Sequence, residues 1–115
     1  MLVIDDLQVD MWPEEREKFH PAEVQANETF VEVAEHVRDV VGDDDLYYVA
    51  WAAQTAGAWA FGLFELLCYC NAAGAVVPDE LLDRCLESDF DEDRPIARKV
   101  EELRARARAR EAASG

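Results

Sequence analysis

The chain has 115 residues, of which half are hydrophobic, and its 26 acidic and 11 basic side chains give a formal net charge of −15. Such a length supports one domain with a single core, and the hydrophobic half excludes a disordered acidic tail. Three cysteines, together with an amino terminus that lacks the pattern of a cleavable signal, predict a reduced, cytoplasmic protein rather than a disulfide-stabilised secreted one.

The charge is unevenly distributed along the chain. Residues 1–93 contain 23 acidic and 4 basic side chains, a net charge of −19, whereas residues 94–115 contain 3 and 7, a net charge of +4. The cationic end is therefore expected to lie against carboxylates of this chain or of a second copy. Because Lys18 and Lys99 are the only lysines, we favour halophilic salt adaptation as the cause of the acidity. An acidic face that binds a basic partner is the alternative.

The first third of the chain is predicted to form an arm and two helices. Residues 1–12 fit no single period and are expected to be an extended arm or a short strand. Pro13 begins a short helix through Phe19, and an amphipathic helix follows over 22–41. Its core-facing residues lie within about 60° of one another around the helix axis and are Phe30, Ala34, Val37 and Val41. Its acidic face lies opposite and consists of Glu28, Glu32, Glu35 and Asp39.

The middle of the chain is strongly apolar. From Leu46 to Val77 it carries one charged side chain, Glu65. A helix stop at Gly42 and an acidic first turn over 43–45 precede this stretch, which predicts one long apolar central helix from 46 to about 71.

The same stretch raises the question of a membrane. Its uncharged run over 46–64 is long enough to cross a bilayer. However, Gln54 and Thr55 lie near the centre of that run, and acidic residues flank it on both sides. We therefore expect a water-soluble helix and keep a small membrane protein as a lesser alternative.

A helix that is apolar on every side must be covered on every side. The predicted central helix is roughly 39 Å long and needs on the order of 120 Å of covering helix, whereas the other predicted helices offer roughly 57 Å. We therefore expect a homo-oligomer or a protein partner to supply the remaining cover. The expected interface residues combine small side chains with large aromatic ones and are Ala50, Trp51, Ala53, Gly57, Trp59, Ala60, Phe61 and Phe64. The alternative is a monomer whose helix breaks near Gly57 or Gly62 and folds back on itself.

The last third is predicted to contain two more helices. A short helix follows Pro78 and has the apolar face Leu81, Leu82, Cys85 and Leu86. A basic helix over 94–112 has an apolar stripe of Ile96, Val100 and Leu103, then continues as a basic tail that carries Arg104, Arg106, Arg108 and Arg110. The predicted fold is thus a single all-α domain over 1–115, a bundle of four to five helices around the long apolar one.

The spacing of some acidic residues is similar to that of a known metal-binding motif. Glu32-x-x-Glu35, followed by acids over 43–45, resembles the Mg²⁺ motif of the all-helical nucleotide pyrophosphatases. The likeness fails at Gly42, where that motif requires an acid, and the helical projection turns both glutamates away from the core. A metal-dependent enzyme of this kind is therefore a lesser alternative.

The remaining polar features of the apolar stretch do not form a recognisable site. Cys68 and Cys70 point about 200° apart on a helix and cannot hold one ion together. Glu65, if buried, would be protonated through desolvation or paired with an arginine of the basic tail; if uncovered, it would reach solvent. We therefore expect a protein that is not an enzyme, with no catalytic, cofactor-binding or metal-binding residues.

The function expected from these patterns is that of a non-catalytic, acidic assembly or adaptor protein. It would bury its apolar centre against other copies or a partner, as a subunit of a multi-copy cellular or viral structure. The alternative is an acidic inhibitor that mimics nucleic acid, because the carboxylates of the acidic face repeat every 5 to 6 Å or so along the helix, roughly as phosphates do. Direct binding of nucleic acid is not expected, since the body of the chain repels phosphates.

Overall fold

The structure, a computed structural model, describes residues 3–4, 7–8, 13–89 and 92–114. Within these residues the chain is predominantly helical, which confirms the predicted all-α class. Two short strands pair antiparallel within the predicted amino-terminal arm, whose other residues lie outside the described ones. In chain order the elements are β1 (Val3–Ile4), β2 (Leu7–Gln8), α1 (Pro13–Arg16), α2 (Pro21–Val41), α3 (Asp43–Ala56), α4 (Trp59–Ala73), α5 (Asp79–Leu86) and α6 (Pro95–Ser114).

The prediction of one continuous helix from 46 to about 71 is wrong. α3 ends at Ala56, and Gly57 adopts a left-handed conformation with φ of 65°. The Gly57 N–H donates to the Ala53 and Gln54 carbonyls, which ends the helix as glycine commonly does at this position. α4 then begins at Trp59 and packs against α3, so the apolar stretch forms a helical hairpin.

The hairpin removes most of the predicted shortage of covering helix. α4 is the central element and packs against α2, α3 and α6. The side chains of the hairpin that the chain itself buries are Leu46, Val49, Ala50, Ala53, Trp59, Leu63, Leu66, Leu67 and Cys70. The two halves of the stretch cover each other, so the cover required from a second chain is far smaller than a continuous helix would need.

The core-facing stripe of α2 is confirmed. Phe30 and Ala34 are fully buried, and Val37 and Val41 are nearly so. The Phe30 ring meets the Trp59 ring of α4 edge to face, with the centroids 5.2 Å apart and the planes inclined at 72°. This arrangement suits the quadrupoles of the two rings and holds α2 against the start of α4.

The start of α4 is capped from a distant part of the chain. Its N-cap residue, Ala58, offers no side-chain acceptor. The Glu23 carboxylate of α2 takes that role, because its Oε2 accepts from the Trp59 N–H at 2.6 Å and from the Ala60 N–H at 3.2 Å. A carboxylate at this end also complements the positive pole of the helix dipole.

The bilayer alternative can be compared with the described helices. Among the residues that the structure describes, no helix combines the length with the apolar character that a membrane crossing requires.

Candidate interaction surface

The eight expected interface residues do not lie on one surface. Ala50, Ala53 and Trp59 are buried in the chain's own core, at 0, 3 and 2% exposure. Gly57, Ala60 and Phe64 are half-buried. Trp51 and Phe61 remain exposed, at 50 and 59%. The expectation assumed a continuous helix, and the reversal at Gly57 turns three of these residues inward.

The two exposed aromatic residues of the expected interface, Trp51 and Phe61, do not border the same groove. Ala52 and Ala56 line a groove between α3 and α4, and Trp51 does not. Around the axis of α3, Trp51 lies about 100° from Ala52 and about 140° from Ala56. Phe61 borders that groove. Phe61, rather than Trp51, therefore belongs to a shaped surface.

The α3–α4 groove is a small apolar depression. Its volume is about 170 Å³, and its lining residues are Val49, Ala52, Ala53, Ala56, Ala58, Phe61, Gly62 and Glu65. The helices approach so closely at its floor that a Cβ atom built on Gly62 would lie 2.5 Å from the Ala53 Cβ. The predicted small residues therefore do bring two helices together, but both helices belong to the same chain.

Glu65 is the polar residue of the groove. Its side chain is half-buried rather than buried. Within the described part of the chain it makes no hydrogen bond or ion pair, and Arg104, Arg106 and Arg110 of the basic tail bind elsewhere. Of the states expected for Glu65, pairing with this chain's own basic tail is therefore wrong.

A second depression, here called the Asp89 pocket, lies on the other side of Phe61. Its volume is about 20 Å³, and its lining residues are Ala60, Phe61, Phe64, Ser88, Asp89, Pro95 and Ile96. The Phe61 and Phe64 rings stand 6.1 Å apart beside it. Phe61 is thus the wall that the α3–α4 groove and the Asp89 pocket share.

The polar atoms of the Asp89 pocket are incompletely bonded. The Asp89 side chain is 1% exposed, and its Oδ2 accepts from the Ala97 N–H at 2.9 Å and the Arg94 Nε–H at 3.1 Å, which caps the start of α6. Its Oδ1 and the Ser88 Oγ are buried and have no hydrogen-bond partner among the described residues. Sequence reasoning missed both residues, because "ESDFDED" reads as an ordinary acidic loop.

The acidic face of α2 is partly neutralised. Glu32 forms an ion pair with Arg84 of α5, and Glu28 lies 3.8 Å from the Arg16 guanidinium. Glu35 and Asp39 are exposed. The first two members of the row thus have cationic neighbours, which makes the array of charges less regular than a phosphate mimic would present.

The basic tail docks on its own chain. Arg104 bridges Asp79 and Asp83 of α5, as expected for a cationic segment that lies against this chain's carboxylates. Arg106 donates to the backbone and side-chain oxygens of Asn71, and Arg110 donates to the Gly74 carbonyl at 2.9 Å. These two arginines satisfy free carbonyls at the end of α4, where cations are favoured. Arg108 is exposed.

A wider depression at the surface is lined mostly by charged side chains. It measures about 630 Å³ and lies where α2 meets α3, lined by Arg38, Asp39, Val41, Gly42, Asp43, Asp44 and Asp45. The Arg38 guanidinium hydrogen-bonds to Asp43 and holds the pKa of that exposed carboxyl below its usual value. In the described ranges, His, Cys, Asp and Glu side chains form no group of three or more suited to a metal ion. Glu32, which the pyrophosphatase-like motif needs for metal, instead pairs with Arg84.

The cysteines are core residues with suppressed ionisation. Cys70 of α4 and Cys85 of α5 are fully buried, and Cys68 is half-buried. Burial is the main cause that raises the pKa of the Cys70 and Cys85 thiols to about 12, and a neighbouring cysteine contributes to each rise. Both side chains therefore act as small apolar residues rather than as nucleophiles or ligands.

The free energy of unfolding is expected to fall as the pH rises above 9. In the unfolded chain the Cys70 and Cys85 thiols titrate near a pKa of 9.0, whereas in the folded protein they keep their protons until about 12. The stabilisation from each protonated thiol is therefore complete below pH 9. It is lost between pH 9 and about pH 12, by about 1.4 kcal/mol per pH unit for each thiol. Urea unfolding at about pH 8 and about pH 10.5 measures the loss. In Cys85→Ala the loss of unfolding free energy between these two pH values should be smaller than in the unchanged protein. An equal loss in that variant would assign the pH dependence to other groups.

Comparison with protein families, with curated proteins and with solved structures finds no match for this chain.

Proposed function

We propose that this chain is a non-catalytic adaptor or assembly protein that binds another protein chain through the surface around Phe61. The observation that supports it most is the position of this ring, 59% exposed between two depressions with largely apolar walls. A large aromatic side chain in such a place is a typical anchor of a protein–protein interface. The Phe61 surface, as we call it, comprises this ring, the α3–α4 groove and the Asp89 pocket.

The dimensions of the Phe61 surface favour a protein ligand over a small molecule. Pockets for drug-sized molecules measure about 300–1,000 Å³, whereas the α3–α4 groove and the Asp89 pocket measure about 170 and 20 Å³. Depressions of that size accept individual side chains. A contact of this kind is local and differs from the encircling assembly that a fully exposed central helix would require.

The proposal retains salt adaptation as the reason for the acidity. The net charge of −15 keeps the surface hydrated, while the apolar contact at Phe61 is not weakened by salt. A nucleic-acid mimic receives less support, because Arg16 and Arg84 interrupt the acidic row of α2.

Photo-crosslinking tests this function in the cell of origin. A photoreactive phenylalanine analogue at position 61 is expected to give a discrete covalent adduct, because Phe61 would lie inside the interface. The matched control carries the same analogue at position 35, on the exposed face of α2. An adduct of twice the 13.0 kDa chain mass identifies a second copy, and another mass identifies a partner. If position 61 gives no adduct, or the same adducts as position 35, the proposal is wrong.

A further inference from the structure

We infer that the Phe61 surface binds an amphipathic helix of a partner protein in which lysine side chains flank bulky apolar ones. This inference rests on the proposed function and adds the chemistry of the partner. Three features of the protein support it: the polar atoms beside Phe61, the sizes of the two depressions and the charge of the chain.

Both depressions contain carboxylate oxygens that have no hydrogen-bond partner among the described residues. In the α3–α4 groove, Glu65 has no hydrogen bond or ion pair to another described residue. In the Asp89 pocket, Asp89 Oδ1 and Ser88 Oγ are buried without a partner among the residues described. A buried acceptor left unbonded is unfavourable, and native proteins normally satisfy such atoms. Each depression therefore favours a ligand that donates hydrogen bonds, and the net charge of −15 favours one that carries positive charge.

The Asp89 pocket matches the head of a lysine side chain. Its volume of about 20 Å³ admits a group the size of one water molecule. The ammonium of lysine has about that size, whereas the planar guanidinium of arginine is larger. An ammonium has three donors, enough for Asp89 Oδ1 and Ser88 Oγ together. The neighbouring faces of Phe61 and Phe64 add a cation–π attraction.

The α3–α4 groove takes the apolar part of the same ligand. Its walls are methyl groups of alanines and the Phe61 ring, and its 170 Å³ or so suits a leucine-sized side chain. Glu65 at the wall then pairs with a cation one helical turn along the partner. Side chains spaced by three or four residues on a helix lie 5–6 Å or so apart. A partner helix can therefore place an apolar side chain in the groove and a basic one beside Glu65.

A second copy of this chain does not have this chemistry. Two copies of charge −15 repel each other. Of the two lysines, Lys99 already pairs with Glu102 at 2.9 Å, and Lys18 lies beyond the end of α1 in a turn. The complementary partner is therefore a different, basic protein segment.

The test uses a labelled synthetic helix of about 18 residues, with leucines on one face and lysines beside them, and measures its fluorescence anisotropy with the full chain. Two matched peptides replace either all leucines by serine or all lysines by glutamate. We expect both replacements to abolish binding, since the groove needs the leucine and the carboxylates need the lysine. Equal binding of the serine peptide would overturn the inference, because it would show attraction by net charge alone.

Three variants locate the binding. Phe61→Ala is expected to raise the dissociation constant about tenfold and Glu65→Gln about three- to tenfold. Ser88→Ala is expected to raise the dissociation constant about threefold while leaving the urea midpoint equal or higher, because the lost hydroxyl has no hydrogen-bond partner among the described residues. The control is Glu35→Gln, an exposed glutamate of α2, which should change it less than about twofold.

The remaining outcomes separate this inference from the function on which it rests. An equal loss of peptide affinity in Glu35→Gln and Glu65→Gln overturns the inference. A crosslinked adduct of twice the chain mass at position 61 also overturns it, yet keeps the assembly function. Absence of a specific adduct at position 61 counts against the function itself.

Discussion

Replacing Gly62 by alanine is expected to lower the free energy of unfolding by about 2 kcal/mol. The added Cβ would lie 2.5 Å from the Ala53 Cβ, far inside the 3.5–4.0 Å or so at which carbon atoms attract each other. Both atoms are attached to helical backbone, so α3 and α4 must separate. On an exposed helix the same change would stabilise by about 1 kcal/mol, so the clash reverses the sign of the effect. Urea unfolding measures the difference.

The control for this prediction exchanges the two residues. In the double variant Gly62→Ala, Ala53→Gly the methyl group crosses to the other helix and the clash disappears. We expect the double variant to be more stable than the sum of the single changes by about 2 kcal/mol, a coupling typical of residues in contact. If Gly62→Ala instead stabilises the protein by itself, the close approach of α3 and α4 is wrong.

Replacing Glu23 by alanine is expected to destabilise the protein by about 2–3 kcal/mol. One carboxylate oxygen accepts from the Trp59 and Ala60 N–H groups, and both donors would be left without a partner in a partly buried place. Glu23→Gln should lose less, because the amide oxygen can still accept while the charge at the positive helix end is gone. Unfolding in urea, followed by tryptophan fluorescence, measures both variants.

The matched control for Glu23 is Glu35→Ala on the same helix. Glu35 is exposed, and its replacement should change stability by less than about 0.5 kcal/mol. Because the capped residues immediately precede Phe61, Glu23→Ala should also weaken binding of the leucine–lysine peptide. Equal stability losses in Glu23→Ala and Glu35→Ala would show that the cap contributes nothing.

These two predictions concern the contacts that create the Phe61 surface. The Gly62–Ala53 approach sets the depth of the α3–α4 groove, and the Glu23 cap fixes the first turn of α4. A proposed binding surface that depends on such contacts should respond when they are changed, and Glu23 tests this without lining either depression.

The local features of this chain could be derived from its sequence. The amphipathic helix expected over 22–41 is α2, and its stripe from Phe30 to Val41 is buried. Gly42 ends a helix as expected, Gly74 ends α4, and Pro95 is the first residue of α6. These features depend on side-chain period, capping and backbone freedom within a few residues, which are properties of the sequence itself.

The tertiary structure decided whether the apolar stretch is one helix or two. Gly57 tolerates both a helical and a left-handed conformation, so local preference leaves the choice open. The choice depends on the apolar area that α3 and α4 bury by packing on each other, compared with the area that one continuous helix would bury. That packing forms only when the whole chain folds. The geometric shortage derived from a continuous helix therefore overestimated the need for a second chain.

The polar atoms of the candidate site also depend on the fold. Glu23 reaches residues 36 and 37 positions away, and Ser88 and Asp89 meet Phe61 only because α6 packs on α4. In the sequence these residues are ordinary members of acidic segments. Composition and periodicity thus determined the all-α class, the buried face of α2 and the acidic surface. Long-range packing decided that the Glu23 carboxylate caps α4 and that Asp89 Oδ1 is buried without a partner among the described residues, because desolvation acts on atoms that are distant in sequence and adjacent in space.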